Sequence, residues 1–149
     1  DIFNKIKERL KIATDPDELI ALKQYKNVLT SIKDAKTSAV FWFKKAAEQG
    51  YGPAEHNLGN MYYHGKGLKR DYSQAFYWYK KSAENNFTRG KYNLGTMYYK
   101  GLGVKQDYSK AYHWLIKASD LGYDKAQNLL ASLYLSGLGV KKDVAQAIH

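Results

Sequence analysis

The sequence predicts an all-α fold: a right-handed superhelical solenoid of antiparallel helix pairs with a helical N-terminal cap. Three observations carry that prediction. Residues recur at a fixed step of 36, among them Trp42, Trp78 and Trp114, then Gly65, Gly101 and Gly137, then Asp71, Asp107 and Asp143. Within each unit two stretches carry apolar residues at helical spacing. No insertion or deletion breaks the register from Ala39 onward. A helix pair of this size cannot bury its apolar faces alone, and stacking pairs in register buries a continuous core.

Residues 1–38 lie outside the repeat and are expected to cap the array, which occupies residues 39–149. Ile2, Ile6 and Leu10 share one helical face and predict a short first helix. Asp15, Pro16, Asp17 and Glu18 then supply an N-cap, a proline at the first helical position and an acidic first turn. Leu19, Leu22, Val28, Leu29 and Ile32 extend that helix towards the Ala39 segment, where residues 39–50 form the second helix of a partial repeat. Two repeats follow at about 53–88 and 89–124, and a truncated one at 125–149. The first helix of each, helix A, is expected at about 53–64, 89–100 and 125–136. The second, helix B, is expected at about 72–85 and 108–121, with a last copy starting near Val144. That copy would be cut short at His149, which suggests a longer parent with more repeats.

Ala54, Leu58, Met61 and Tyr62 mark the buried face of the first helix A. Gly59 and Gly95 fall inside helix A, where glycine costs up to about 1 kcal/mol relative to alanine. Such a cost implies close approach of a neighbouring helix, and Ala131 at the third equivalent position keeps the side chain small. The tryptophans, and Tyr62, Tyr98 and Tyr134, are expected to pack between repeats rather than to cage a ligand.

The stretch GKGLKRD, residues 65–71, has the look of a phosphate-binding loop. Such a loop needs free backbone N–H groups at the following helix start. Here Asp71 stands at that start as an N-cap, with Gln74 three residues on in a capping-box arrangement. Gly65 is placed as a left-handed helix terminator. GLGVKQD and GLGVKKD repeat the pattern, so it is expected to be a structural turn.

The units AEHNLGNMYYHGKGLKRDYSQAFYWYKKSAENN, GKYNLGTMYYKGLGVKQDYSKAYHWLIKASDLG and AQNLLASLYLSGLGVKKDVAQAIH resemble Sel1-like repeats, relatives of the tetratricopeptide repeat with a longer inter-helix loop. L-G-x-x-Y, G-x-G-V and D-x-x-x-A-x-x-W carry the resemblance over roughly residues 39–149. Ala131, Leu68 and Asn86 depart from it, in place of glycine, valine and glycine. The resemblance implies a non-catalytic adaptor or scaffold, often of bacterial envelope, secretion or host-contact systems. The alternative it implies is a bacterial immunity protein that binds and neutralises a secreted toxic effector. Some cysteine-rich relatives are linked to β-lactam binding, but they carry repeat disulfides and this chain has no cysteine.

Little in the residues points to chemistry. Absence of cysteine removes thiolate catalysis and zinc–sulfur sites. His56 and His64 are eight residues apart, about 12 Å along a helix, too far for one metal ion. His113 stands alone on a helix B and His149 is terminal. Glu48, Glu84 and Asp120 recur with the repeat, and no acid pair or Ser-His-Asp set stands outside it. No enzyme activity, metal or cofactor is expected, and no apolar run reaches the roughly 18 residues of a membrane helix.

Binding is therefore expected on a surface. Helix A should line the concave side, leaving one inner stripe per repeat: His56, Asn60, Tyr63 and His64; Tyr92, Thr96, Tyr99 and Lys100; Asn128, Ser132, Leu135 and Ser136. These residues vary between repeats while the neighbouring core positions stay fixed, as suits recognition of a protein or peptide. Net charge is +10, so an acidic partner fits. Lys66, Lys69, Arg70, Lys105, Lys141 and Lys142 fall in the glycine loops and should form a basic edge. No aromatic stacking platform accompanies those loops, and no nucleic acid is expected there.

Overall fold

A computed structural model describes residues 2–147, the side chain of Lys36 excepted. The described chain is helical throughout, with α1 Ile2–Ile12, α2 Pro16–Glu48, α3 Gly52–His64, α4 Tyr72–Glu84, α5 Thr88–Lys100, α6 Tyr108–Ser119 and α7 Asp124–Ser136. It divides into two compact units after Phe41, and α2 contributes to both.

In the first unit α1 ends in a turn closed by the Ala13 N–H to the Arg9 carbonyl, 3.0 Å. Asp15 caps α2 as expected, its Oδ1 accepting from the Asp17 N–H at 3.3 Å. Arg9 Nε donates to Glu18 Oε1 at 2.5 Å. Solvent around that pair limits it to about 1 kcal/mol or less. Ile6 is buried, while Ile20, Val28 and Ile32 leave an exposed apolar stripe on α2.

The second unit stacks the end of α2, the pairs α3/α4 and α5/α6, and α7. Its core consists of three clusters, each joining a helix B to the next helix A. Ala47 meets Ala54 and Leu58. Ala75, Tyr79 and Ala83 meet Leu94 and Met97. Ala111, Leu115 and Ala118 meet Ala126, Leu130 and Leu133. Alanines on both helices let the backbones close in, and the leucines, Met97 and Tyr79 fill the space between them. Burying each leucine contributes about 1.5–3 kcal/mol. Trp78 packs on the first cluster and Trp114 on the second, the inter-repeat role expected of them. Trp42 is 68% exposed. Met61 and Tyr62, expected in the core, are half-buried, whereas Met97 and Leu133 at the position of Met61 are buried.

The mid-helix glycines sit where a helix comes close. A Cβ on Gly59 would lie 2.6 Å from the Tyr79 ring, and one on Gly95 2.8 Å from Leu115 Cγ. Ser82 Oγ, fully buried, donates to the Gly52 carbonyl at 2.8 Å and ties α4 to the start of α3. Asn86 takes a left-handed conformation (φ +59°), the region its glycine counterparts Gly50 and Gly122 also occupy. Asparagine is among the few residues that tolerate it.

The G-x-G loops behave as turns. Gly65, Gly101 and Gly137 end helix A with φ of 68°, 67° and 69°, each N–H bonded to the carbonyl four residues back. Asp71 Oδ1 accepts from the Gln74 N–H at 3.0 Å, and Asp107 Oδ1 from the Lys110 N–H at 2.9 Å. The reciprocal arm of a capping box is replaced: the Asp71 N–H donates to the Tyr62 carbonyl, and the Asp107 N–H to that of Tyr98. The final helix B, expected near Val144, is present only as a turn over 144–147, with Asp143 Oδ1 accepting from Ala145 and Gln146 N–H. One turn offers no second turn to continue its hydrogen-bond ladder. Its continuation, with His149, lies outside the described residues.

Candidate functional site

Cavities open on the helix A side of the second unit. The larger, about 380 Å³, is lined by Tyr92, Thr96, Tyr99, Lys100, Lys125, Asn128 and Leu129. A neighbour of about 190 Å³ shares Tyr92, Thr96 and Lys100 with it and adds Asn60, Tyr63, His64, Tyr79, Asn93 and Met97. Shared walls make one groove across α3, α5 and α7.

Of the twelve inner-stripe residues, eight line this groove: Asn60, Tyr63, His64, Tyr92, Thr96, Tyr99, Lys100 and Asn128. His56 does not. It is buried beneath the rings of Phe87 and Tyr79, at centroid distances of 5.3 and 6.0 Å, instead of facing the groove. Burial holds its imidazole below the usual pKa; the contact with Asn57 opposes that shift and the Arg89 charge adds to it. Asn60 is half-committed to structure. Its Oδ1 accepts from the Tyr79 hydroxyl at 2.7 Å, and its Nδ2 lies 3.4 Å from the His56 ring nitrogens. Burial, and next the nearby Tyr63, push the Tyr79 phenol well above its ordinary pKa, so it stays protonated and donates. Ser132, Leu135 and Ser136 are exposed on α7 but line neither cavity.

Three tyrosines in the groove are held in place by other rings. Tyr63 meets Tyr72 edge-on at 5.3 Å, and Tyr99 meets Tyr108 the same way at 5.5 Å, one repeat later. Tyr92 leans on Tyr123 at 5.1 Å, repeating the contact of His56 with Phe87. Such contacts are worth about 0.5–1.5 kcal/mol each and fix ring orientation. Among the described residues the hydroxyls of Tyr63, Tyr92 and Tyr99 make no hydrogen bond. The Thr96 hydroxyl donates to the Tyr92 carbonyl at 2.9 Å, so towards the groove it can only accept.

Lys125, Asn93 and Leu129 line the groove without having been anticipated. The inner stripe on the third repeat starts at Asn128; followed one turn towards the helix N-terminus, i−3 reaches Lys125, and i+4 from there gives Leu129. No carboxylate lines either cavity, and neither Lys100 nor Lys125 forms an ion pair among the described residues.

Six cations lie in the glycine loops. Lys66, Lys69, Arg70, Lys105, Lys141 and Lys142 are all exposed. Consecutive loops nest, because Gly103 packs on the Tyr72 carbonyl and Gly139 on that of Tyr108. The Arg70 guanidinium lies 5.6 Å from the Tyr72 ring centroid, and none of the six forms an ion pair among the described residues.

Helix pairs, αL glycines, capping aspartates and inter-repeat tryptophans agree with a family model, the Sel1 repeat, which matches residues 32–51, 52–87, 88–123 and 124–149. The chain belongs to the Sel1 repeat family. Sel1 repeats generally serve as protein-interaction modules, and the family is generally non-catalytic. Among solved structures, the chain is similar to a protective antigen of uropathogenic Escherichia coli with an SLR fold (43% identity, TM-score 0.73, covering 75% of this chain and 24% of that one). It is also similar to a Sel1 repeat protein from Oxalobacter formigenes (34% identity, TM-score 0.69, covering 75% and 45%). Helicobacter pylori cysteine rich protein B is a third (32% identity, TM-score 0.56, covering 58% and 65%). The chain thus spans about a quarter of the first relative and just under half of the second. No curated protein matches it. Among the described residues no helix is long and apolar enough to cross a membrane, and no three His, Asp or Glu side chains are grouped to hold a metal ion.

Proposed function

We propose that this Sel1 repeat array is a non-catalytic interaction module that takes a segment of a protein partner in the groove across α3, α5 and α7. The observation that carries this reading is the set of three tyrosines, Tyr63, Tyr92 and Tyr99, each braced by a second ring and each with an uncommitted hydroxyl. A braced tyrosine offers a large amphipathic contact and loses little entropy when a partner docks. The stacked helices hold such side chains on rigid elements.

The test is selection of a phage-displayed random dodecapeptide library on the purified protein, with Tyr63→Ala/Tyr99→Ala as the comparison. Peptides that bind the native protein should bind the double variant at least tenfold more weakly, with far-UV circular dichroism unchanged. Equal binding to both would refute the groove as the docking site. The basic edge is a secondary candidate: loss of binding on neutralising Lys66, Lys69 and Arg70, with the tyrosines intact, would favour it.

A further inference from the structure

We propose that the partner segment is acidic, and that one of its carboxylates sits between Lys100 and Lys125; this rests on the groove reading above. The larger cavity carries both lysines and no carboxylate. Neither ammonium is neutralised within the described chain. Lys80 approaches Glu84 at 3.9 Å and Lys110 pairs with Asp107 at 3.3 Å, and the unpaired cations of the glycine loops line neither cavity.

The remaining polar groups at this end suit an anion. The Asn128 amide makes no hydrogen bond among the described residues, and the hydroxyls of Tyr92 and Tyr99 are free to donate. The Thr96 proton is already committed to a backbone carbonyl. Two ammonium groups, an amide and two phenols therefore surround a space with donors in excess of acceptors. A cationic occupant would be repelled by the two ammonium groups, and a neutral one would leave their charge unbalanced.

A carboxylate on a polypeptide fits better than a nucleic-acid phosphate. Lys125 lines only the larger cavity and Lys100 stands where the two meet, whereas a phosphate backbone needs positive charge along its whole track. Beyond Lys100 the smaller cavity adds Tyr63, His64, Tyr79 and Met97, with Asn60 and Asn93, and no second lysine or arginine. Like-charged surroundings also act at a distance: net charge is +10, so an acidic segment is drawn in and a basic one held off.

The experiment repeats the peptide selection at about 0.15 M salt, where surface charges act over roughly 8 Å. It runs on the native protein, on Lys100→Glu/Lys125→Glu and on Tyr63→Ala/Tyr99→Ala. Peptides enriched on the native protein should carry net negative charge, bind the charge-reversed variant at least tenfold more weakly, and weaken further as salt is raised. Selection on the charge-reversed variant should enrich lysine- and arginine-containing peptides instead. Both lysines are exposed, so helicity should be unchanged. Tyrosine-dependent peptides of neutral or positive charge would overturn the acidic assignment and leave the groove reading standing. Absence of any enrichment would overturn both. A labelled oligo-dT dodecamer that outcompetes the acidic peptides at equal concentration would also overturn it, as a phosphate site.

Discussion

Gly101 and Gly103 are two residues apart in one loop, with φ of +67° and +68°, yet alanine should have different effects at the two positions. Both substitutions carry the same left-handed penalty, about 1–2 kcal/mol. They differ in what the new Cβ meets. At Gly101 the nearest atom is Gln106 Cβ at 3.1 Å, within the same exposed loop, which can give way. At Gly103 the Cβ would run into the Tyr72 carbonyl and come within 2.9 Å of the Ser73 N–H. Those atoms are backbone at the start of α4, fixed by the Asp71 cap, so the loop must lift off the preceding repeat. Overpacking of that kind costs about 1–3 kcal/mol more. Urea unfolding followed by far-UV circular dichroism should place Gly101→Ala about 1–2 kcal/mol below the native protein, and Gly103→Ala lower by a further 1–3 kcal/mol or so. With m of about 1–3 kcal/mol/M that added loss moves the midpoint by roughly 1 M. Equal midpoints would refute the nesting of one loop on the next helix start.

Other consequences follow from single contacts. Ser82→Ala removes the donor to the buried Gly52 carbonyl and should cost about 1–3 kcal/mol in the same assay; a loss below 0.5 kcal/mol or so would mean that water or relaxation satisfies the carbonyl. The backbone N–H of Lys110 holds the Asp107 carboxyl below its usual pKa of 3.8, so its stabilisation is present above that value and is lost as pH falls through the lowered one. Asp107→Ala should therefore melt lower than the native protein at pH 7 and converge with it under strong acid; a gap independent of pH would contradict this. Burial lowers the His56 pKa, so the unfolded chain takes up protons first as pH drops below 6.5. Stability relative to His56→Gln should be constant above pH 6.5 and decline below it; parallel curves would show that His56 accepts its charge in the fold.

Much of the fold was legible because repetition turns a weak local signal into a strong one. A lone Asp71 suggests a cap, whereas Asp71, Asp107 and Asp143 after three glycine pairs require one. The close approaches at Gly59 and Gly95 were legible for the same reason, since an energetic cost repeated at one register position implies a packing cause. His56 was misplaced because its cover comes from across the repeat boundary. Helical periodicity within α3 puts it on the inner stripe, and it cannot show that Phe87 folds back over it. A signal existed: Tyr51, Phe87 and Tyr123 also recur every 36 residues, immediately before each helix A. An aromatic fixed at that position has to pack on something, and in two repeats it packs on residue 56 or 92 of the repeat before. Lys125 was missed because the inner stripe was begun one turn too late. Trp42 differs from its two counterparts for a reason visible in α2: a continuous helix stands where a helix A and its glycine loop precede Trp78 and Trp114.

The two ends of the groove differ in character, and the difference follows from where the repeat decays. The edge-on pair at the end of helix A recurs as Tyr63 with Tyr72 and Tyr99 with Tyr108, but in the third unit the same positions hold Leu135 and Val144. Braced aromatic surface is thus confined to the α3 and α5 side. Along the sequence the cations run the other way: the groove takes Lys100 from α5 and Lys125 from α7, while the first repeat holds His64 and Pro53 at the same positions. A segment lying across the helices meets aromatic surface over α3, aromatic surface with Lys100 over α5, and Lys125 over α7. On the proposed reading this gradient sets direction as well as composition, with apolar or aromatic side chains over α3 and the acid over α5 and α7. A partner bound in reverse would set its carboxylate over α3, beside Asn60 and Tyr63, with Lys125 unpaired. Reversing the sequence of a selected peptide keeps its composition and charge, and should cost most of its affinity. Equal affinity in both directions would show that charge attraction alone, and not the ordered groove, holds the segment.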